Sequence, residues 1–184
     1  MASSEIFQIV RVEKIEVQSM ILPDRIGHVV IKVRNLERSK QFFTDVLGLK
    51  LMMELPKLKI AFFASNGRDH HEIACAEVGD DADRQHAKQI GLQHIAFRLN
   101  DEHHLRKAYQ QLKEKRVPID FTVDHGVTKS VYFRDPDGLL FEVYCDNPPE
   151  YVARMRANGY AGMDKLEFAP EERSLAEAMS GLME

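Results

Sequence analysis

Two histidines and one glutamate stand where they could bind a metal. His28 lies in IGHVVIKV and His94 in GLQHIAFRL, each near the start of a short apolar, β-branched run. Glu142 lies inside Leu139-Leu140-Phe141-Glu142-Val143-Tyr144. A carboxylate within an apolar run is costly unless it is paired, hydrogen-bonded or bound to metal. Two neutral imidazoles with one carboxylate leave coordination positions open, and that ligand set suits Fe(II) oxygen chemistry. Taken singly, each histidine is better read as a structural residue, and Glu142 as half of a salt bridge or part of a polar sheet face. Their recurrence at matching positions makes the joint reading, a metal site, the stronger one.

The elements that must position these residues repeat. Between Arg25 and Asp146 the chain shows the order βαβββ twice, in modules of about 24–80 and 90–146. Each begins with the histidine-bearing strand and then meets an asparagine, Asn35 or Asn100, suited to capping a helix. Leu36, Phe42, Phe43, Val46 and Leu47 keep helical spacing up to Gly48, and Leu105, Ala108, Tyr109 and Leu112 do so before Val117-Pro118. Three strand-like segments follow each helix: about 50–54, 58–64 and 71–78, then about 119–123, 130–133 and 139–145. Ser65-Asn66-Gly67 and Asp135-Pro136-Asp137-Gly138 supply the turns before the last strand of each module. The fold class expected is α+β, two tandem modules forming a shared open barrel. First and last strands of either module can then present side chains to one cavity.

The remaining sequence sets bounds. A chain of 184 residues with 44% hydrophobic and 29% charged residues is long enough to bury a core without disulfides. Cys75 and Cys145 are therefore expected as reduced core thiols. Net charge −4 and pI ≈ 6.1, with no lysine or arginine block, speak against nucleic acid. No apolar run reaches spanning length and no signal-peptide pattern opens the chain, so no membrane partner and a cytoplasmic location are expected. Residues 1–23 read as an N-terminal extension in which Ile9–Val17 forms either an edge strand or a mobile arm. Residues 147–184 read as a helical tail, with helices over Glu150–Asn158 and Pro170–Met183 that pack on the core, close as a lid or contact a second subunit.

The segments GHVVIKVRNLERSKQFFTDVLGLK, GLQHIAFRL and DHGVTKSVYFRDPDGLLFEVYCD resemble the vicinal oxygen chelate superfamily, over about Asp24 to Asp146. That superfamily holds glyoxalase I, extradiol ring-cleaving dioxygenases and antibiotic-resistance proteins. His70-His71, His94, His125, Tyr132 and Glu142 in combination resemble the single-domain, catechol 2,3-dioxygenase-like branch. The resemblance implies that His28, His94 and Glu142 hold Fe(II), with Mn(II) the alternative. It implies that His71 moves substrate and oxygen protons, that His125 sits near a ring hydroxyl, and that Tyr132 orients the substrate. The implied partners are a small aromatic diol, O2 and further copies of the chain, as a dimer or larger homo-oligomer. His70 is left to solvent or to a supporting place, and His86, His103 and His104 to the surface.

Two rivals share the fold. A glyoxalase-type isomerase with Zn2+ or Ni2+ needs a fourth ligand, for which Glu72 is the candidate because it stands near the position that repeats Glu142. Strand alternation puts His71 and Glu72 on opposite faces, so one alone can reach the cavity. His125 and Tyr132 favour His71 and the dioxygenase. A metal-free binding or resistance protein is the other rival, and retention of all three ligand types argues against it.

Overall fold

The two modules fold as the repeat predicts, and a computed structural model describes residues 21–65, 69–86, 88–157 and 162–168. The first comprises β1 (Val29–Val33), α1 (Leu36–Gln41), β2 (Lys50–Leu55), β3 (Ile60–Ala64) and β4 (Ile73–Glu77). The second comprises β5 (Ile95–Arg98), α2 (Glu102–Glu114), β6 (Ile119–Asp124), β7 (Thr128–Arg134) and β8 (Leu140–Asp146). α3 (Pro149–Ala157) and the short β9 (Asp164–Lys165) follow. The sheets run β1-β4-β3-β2 and β5-β8-β7-β6-β9. In each module the first and last strands pair in parallel, which the intervening helix allows. That pairing brings the residue before β1 beside the start of β4, and the residue before β5 beside β8.

Alternation decides which side chains are buried. Ile31 and Val33 on β1, and Phe133, Phe141 and Val143 on β7 and β8, join helix residues Leu36, Phe42, Phe43, Leu105, Tyr109 and Leu112 in one core. Phe42 and Phe43 from the first module reach the second directly, with ring centroids 5.9 and 5.7 Å from Phe141. The loop after β1 is tied to the β7–β8 turn, where Asp137 accepts from the Arg34 backbone N–H at 2.7 Å and pairs with Arg38, also at 2.7 Å. The modules of one chain thus meet through their helix-bearing faces. Their other faces, which carry Val30 on β1 and Ala96 on β5, are exposed at those strands.

Local details refine the expectations. Asn35 caps α1 by accepting from the Arg38 N–H. The second cap is Asp101 rather than Asn100, and its carboxylate accepts from the His104 N–H. An aspartate there also places negative charge at the positive end of the helix. α1 gives way to a π-helical stretch over Phe42–Val46, which turns both phenylalanines into the core before Gly48 ends it at φ +67°. His28 and His94 precede their strands rather than lying within them. The stretch before β3 is a short 3₁₀ turn, Pro56–Leu58. Both thiols are free and buried. The tail returns to the core: Leu166 is buried, and Phe168 stacks on Tyr109 at 4.8 Å with Arg106 over its ring. The expectations for Ile9–Val17 and Pro170–Met183 lie outside the described residues. No described helix is long and apolar enough to cross a membrane.

Candidate metal centre

The second module assembles four of the expected residues. Glu142 lies on the β8 face turned away from the helices, is 6% exposed, and faces His94, whose Nε2 is 3.1 Å from its carboxylate. Tyr132 is the cross-strand partner of Glu142 on β7, and its ring stands edge-on to His94 at 5.5 Å. His125 follows β6, and its Nε2 lies 3.1 Å from the Tyr132 hydroxyl. Phe121 stacks on Tyr132 at 4.3 Å and, with Val123 and Leu140, forms an apolar wall around it. That wall was not among the expected site residues, although alternation along β6 carries its signal.

This environment sets protonation. Burial, and then the Glu142 carboxylate, push the Tyr132 phenol well above its ordinary value, so it stays protonated. Burial pulls His125 below the ordinary imidazole value, and the opposing pull of Glu142 is smaller. The pair is a protonated phenol beside a neutral imidazole, a hydrogen-bonding unit able to hold a hydroxyl.

The first module gathers the others. His71 packs against His28, ring centroids 4.5 Å apart, and against Phe62 at 4.9 Å. Its Nδ1 lies 2.5 Å from His70 Nδ1, so one ring donates and the other accepts, and Nε2 is left for other partners. Burial, and then His70 and His28, lower the His71 pKa. Glu72 turns the other way: its carboxylate accepts from the Ser65 N–H at 2.7 Å and the Ser65 hydroxyl at 2.9 Å. His86, His103 and His104 are exposed, as expected.

Strand register identifies the repeat mate of Glu142. Glu142 pairs with Ala96, two residues past His94, and Ala74 pairs with Val30, two residues past His28. The mate is therefore Ala74, not Glu72, and it has no donor atom.

The structure thus brings His94, Glu142, Tyr132 and His125 together in one place and His28, His70 and His71 in another. Among the described residues, no three His, Cys, Asp or Glu side chains form a group able to hold a metal ion within one chain. The donors nevertheless fit one. Glu142 is a buried carboxylate whose ionic partner is an imidazole, and imidazole with carboxylate suits divalent iron, manganese or zinc.

A sequence model described as the Glyoxalase/Bleomycin resistance protein/Dioxygenase superfamily matches residues 25–143. The chain is 32% identical over 163 residues to a Biphenyl-2,3-diol 1,2-dioxygenase 3 from Rhodococcus globerulus, an alignment covering 86% of this chain and 84% of that one. It is also 32% identical, over 65% of its length, to a Metallothiol transferase FosB from Lysinibacillus sphaericus, covering 80% of that protein. The solved dioxygenase-superfamily domain from Frankia sp. EAN1pec shares the fold with TM-score 0.61 at 20% identity, over 68% of this chain and 100% of that one.

Proposed function

This chain belongs to the glyoxalase/bleomycin resistance protein/dioxygenase superfamily, and we propose that within it the protein is an extradiol dioxygenase acting on a catechol-type aromatic with Fe(II) and O2. The observation that carries this reading is the Tyr132–His125 pair beside His94 and Glu142. Holding a metal does not need that pair, whereas the pair is suited to hold a hydroxyl of a ring diol by hydrogen bonds.

His28, His94 and Glu142 would hold the iron. Iron bound there would supply a common seat for the diol and O2 and offset developing negative charge. The chain's own residues then act on protons. His71, neutral at pH 7, accepts the proton of one substrate hydroxyl and later returns it. Tyr132 and His125 hold the other hydroxyl by hydrogen bonds, and the Phe121 wall keeps water from that side. The ring bond beside the diol breaks and both oxygen atoms of O2 enter the product, so no external reductant is required.

The isomerase reading has less support. Its fourth ligand would have to come from Glu72, which is engaged with Ser65, or from the register mate, which is Ala74. The test is purification without oxygen, metal analysis, and oxygen uptake with catechol, 3-methylcatechol and 2,3-dihydroxybiphenyl. Iron with uptake supports the proposal; zinc or nickel without uptake favours the isomerase. His71→Ala should keep iron and lose turnover, whereas loss of iron would make His71 a ligand.

A further inference from the structure

We infer that a cavity behind the candidate metal centre binds a small organic carboxylate, a singly charged anion carried on an apolar body. The cavity has a volume of about 370 Å³. It opens where the connection from β4 to β5, the loop from α2 to β6, and the end of β7 with its following turn come together. Each of the three brings one guanidinium: Arg84, Arg116 and Arg134. Phe42, Val117, Pro118 and Pro136 supply apolar lining. Phe42 also packs on Phe133 and Phe141, whose chain neighbours Tyr132 and Glu142 face the other side of β7 and β8. The cavity is therefore separate from the metal centre, with the sheet between them.

Two of the three guanidiniums are uncommitted. Arg134 is held: its Nε and Nη2 donate to the Asp120 carboxylate at 2.9 and 2.6 Å, and its Nη1 to the Gly138 carbonyl at 2.7 Å. Arg84 donates to the Pro136 carbonyl at 3.4 Å, which leaves its charge unanswered. Neither Arg84 nor Arg116 has a carboxylate partner among the described residues. Asp135, the acid that lines the cavity, is turned to the backbone N–H groups of Asp137 and Leu139. Even with Asp135 ionised, the guanidiniums outnumber Asp120 and Asp135, and one carboxylate balances the excess. Guanidinium forks meet a carboxylate through paired hydrogen bonds, and apolar walls with a few charged groups are the usual make-up of a small-molecule site.

The backbone at Arg116 is an independent sign. The residue stands just past the end of α2 at φ +55°. Its N–H donates to the Lys113 carbonyl at 3.0 Å, and the Val117 N–H to the Leu112 carbonyl at 2.9 Å. This is the helix-ending turn in which glycine is the low-cost residue. A non-glycine side chain held in left-handed backbone costs stability, and this one lines the cavity. The Arg134 N–H donates to the Pro118 carbonyl at 3.0 Å, so the segments bearing Arg116 and Arg134 are already joined.

Calorimetric titration of the full-length protein with benzoate, with and without EDTA, tests this. A single benzoate per chain should bind, unaffected by EDTA. Benzyl alcohol, the neutral analogue, should bind weaker by roughly tenfold or more. Arg116→Gly suits the left-handed backbone, and Arg84→Gln changes an exposed side chain, so both should match wild type by circular dichroism. Each should weaken benzoate by roughly tenfold or more. Full affinity in either variant overturns the inference, as does equal affinity for benzyl alcohol or the lack of saturable binding. Benzoate binding that EDTA abolishes belongs to the metal centre and also overturns it. None of these outcomes depends on which metal or reaction the centre supports.

Discussion

Ala74 occupies on β4 the register position that Glu142 occupies on β8. The pseudo-repeat is therefore broken at one position that matters for chemistry. Each module offers a histidine before its first strand, and one module alone offers the carboxylate. A site built from both modules then has three protein ligands and keeps positions for two reactants, as ring cleavage requires.

Glu72 and Glu142 should respond differently to neutralisation. Glu142→Gln removes a proposed ligand and should lower iron retention at least tenfold. Glu72→Gln weakens contacts with Ser65 on the far side of the strand, at a cost of about 1 kcal/mol or less, and should leave iron unchanged. Equal losses in both variants would restore the four-ligand isomerase.

Tyr132→Phe keeps the ring on Phe121 and removes the hydroxyl facing His125. Unfolding free energy should change by about 1 kcal/mol or less. Turnover should fall by about a hundredfold, the low end of what a positioned proton-handling group contributes. Full turnover in this variant, measured by oxygen uptake, would remove Tyr132 from the site.

Asp135 gives a pH signature of folding. It is 5% exposed, accepts from the backbone N–H groups of Asp137 and Leu139, and is pushed by burial up to about 6 from an ordinary 3.8. Folding therefore favours its protonated form. The associated stability is present below about pH 4 and is lost as pH rises through about 6. Asp135→Asn imitates the neutral acid and keeps the acceptor oxygen. The stability of wild type relative to this variant should decline across that window by up to about 3 kcal/mol. Urea titrations at several pH values read the difference, and a constant difference would contradict the assignment.

Phe141 is where the modules interlock, touching Phe42, Phe43, Phe97 and Phe133. Phe141→Ala should cost about 3–5 kcal/mol in urea unfolding, and a loss under about 1 kcal/mol would mean that the modules do not share a core.

Much of this was legible in the residues. The repeated βαβββ order, the Asn35 cap and the opposite facing of His71 and Glu72 follow from local preferences and strand alternation, which act over a few residues. Asp101 displaced Asn100 as a cap because either residue can cap, and a one-residue shift costs little. Ala74 was hidden because register depends on which strands pair and on the lengths of the connections between them: the spacing from His94 to Glu142, counted from His28, falls on Ala76, and the acid nearest to it on the His28 side is Glu72. The meeting of the modules through Phe42, Phe43 and Phe141 was also out of reach. An apolar helix face announces burial without naming the surface that covers it.

Oxygen consumption by anaerobically iron-loaded protein given a catechol distinguishes a ring-cleaving dioxygenase from the other activities of this fold. Wild type should consume one O2 per diol cleaved, with no added reductant, and Glu142→Gln little. Iron-loaded wild type that consumes no oxygen with catechol, 3-methylcatechol or 2,3-dihydroxybiphenyl would contradict the dioxygenase reading.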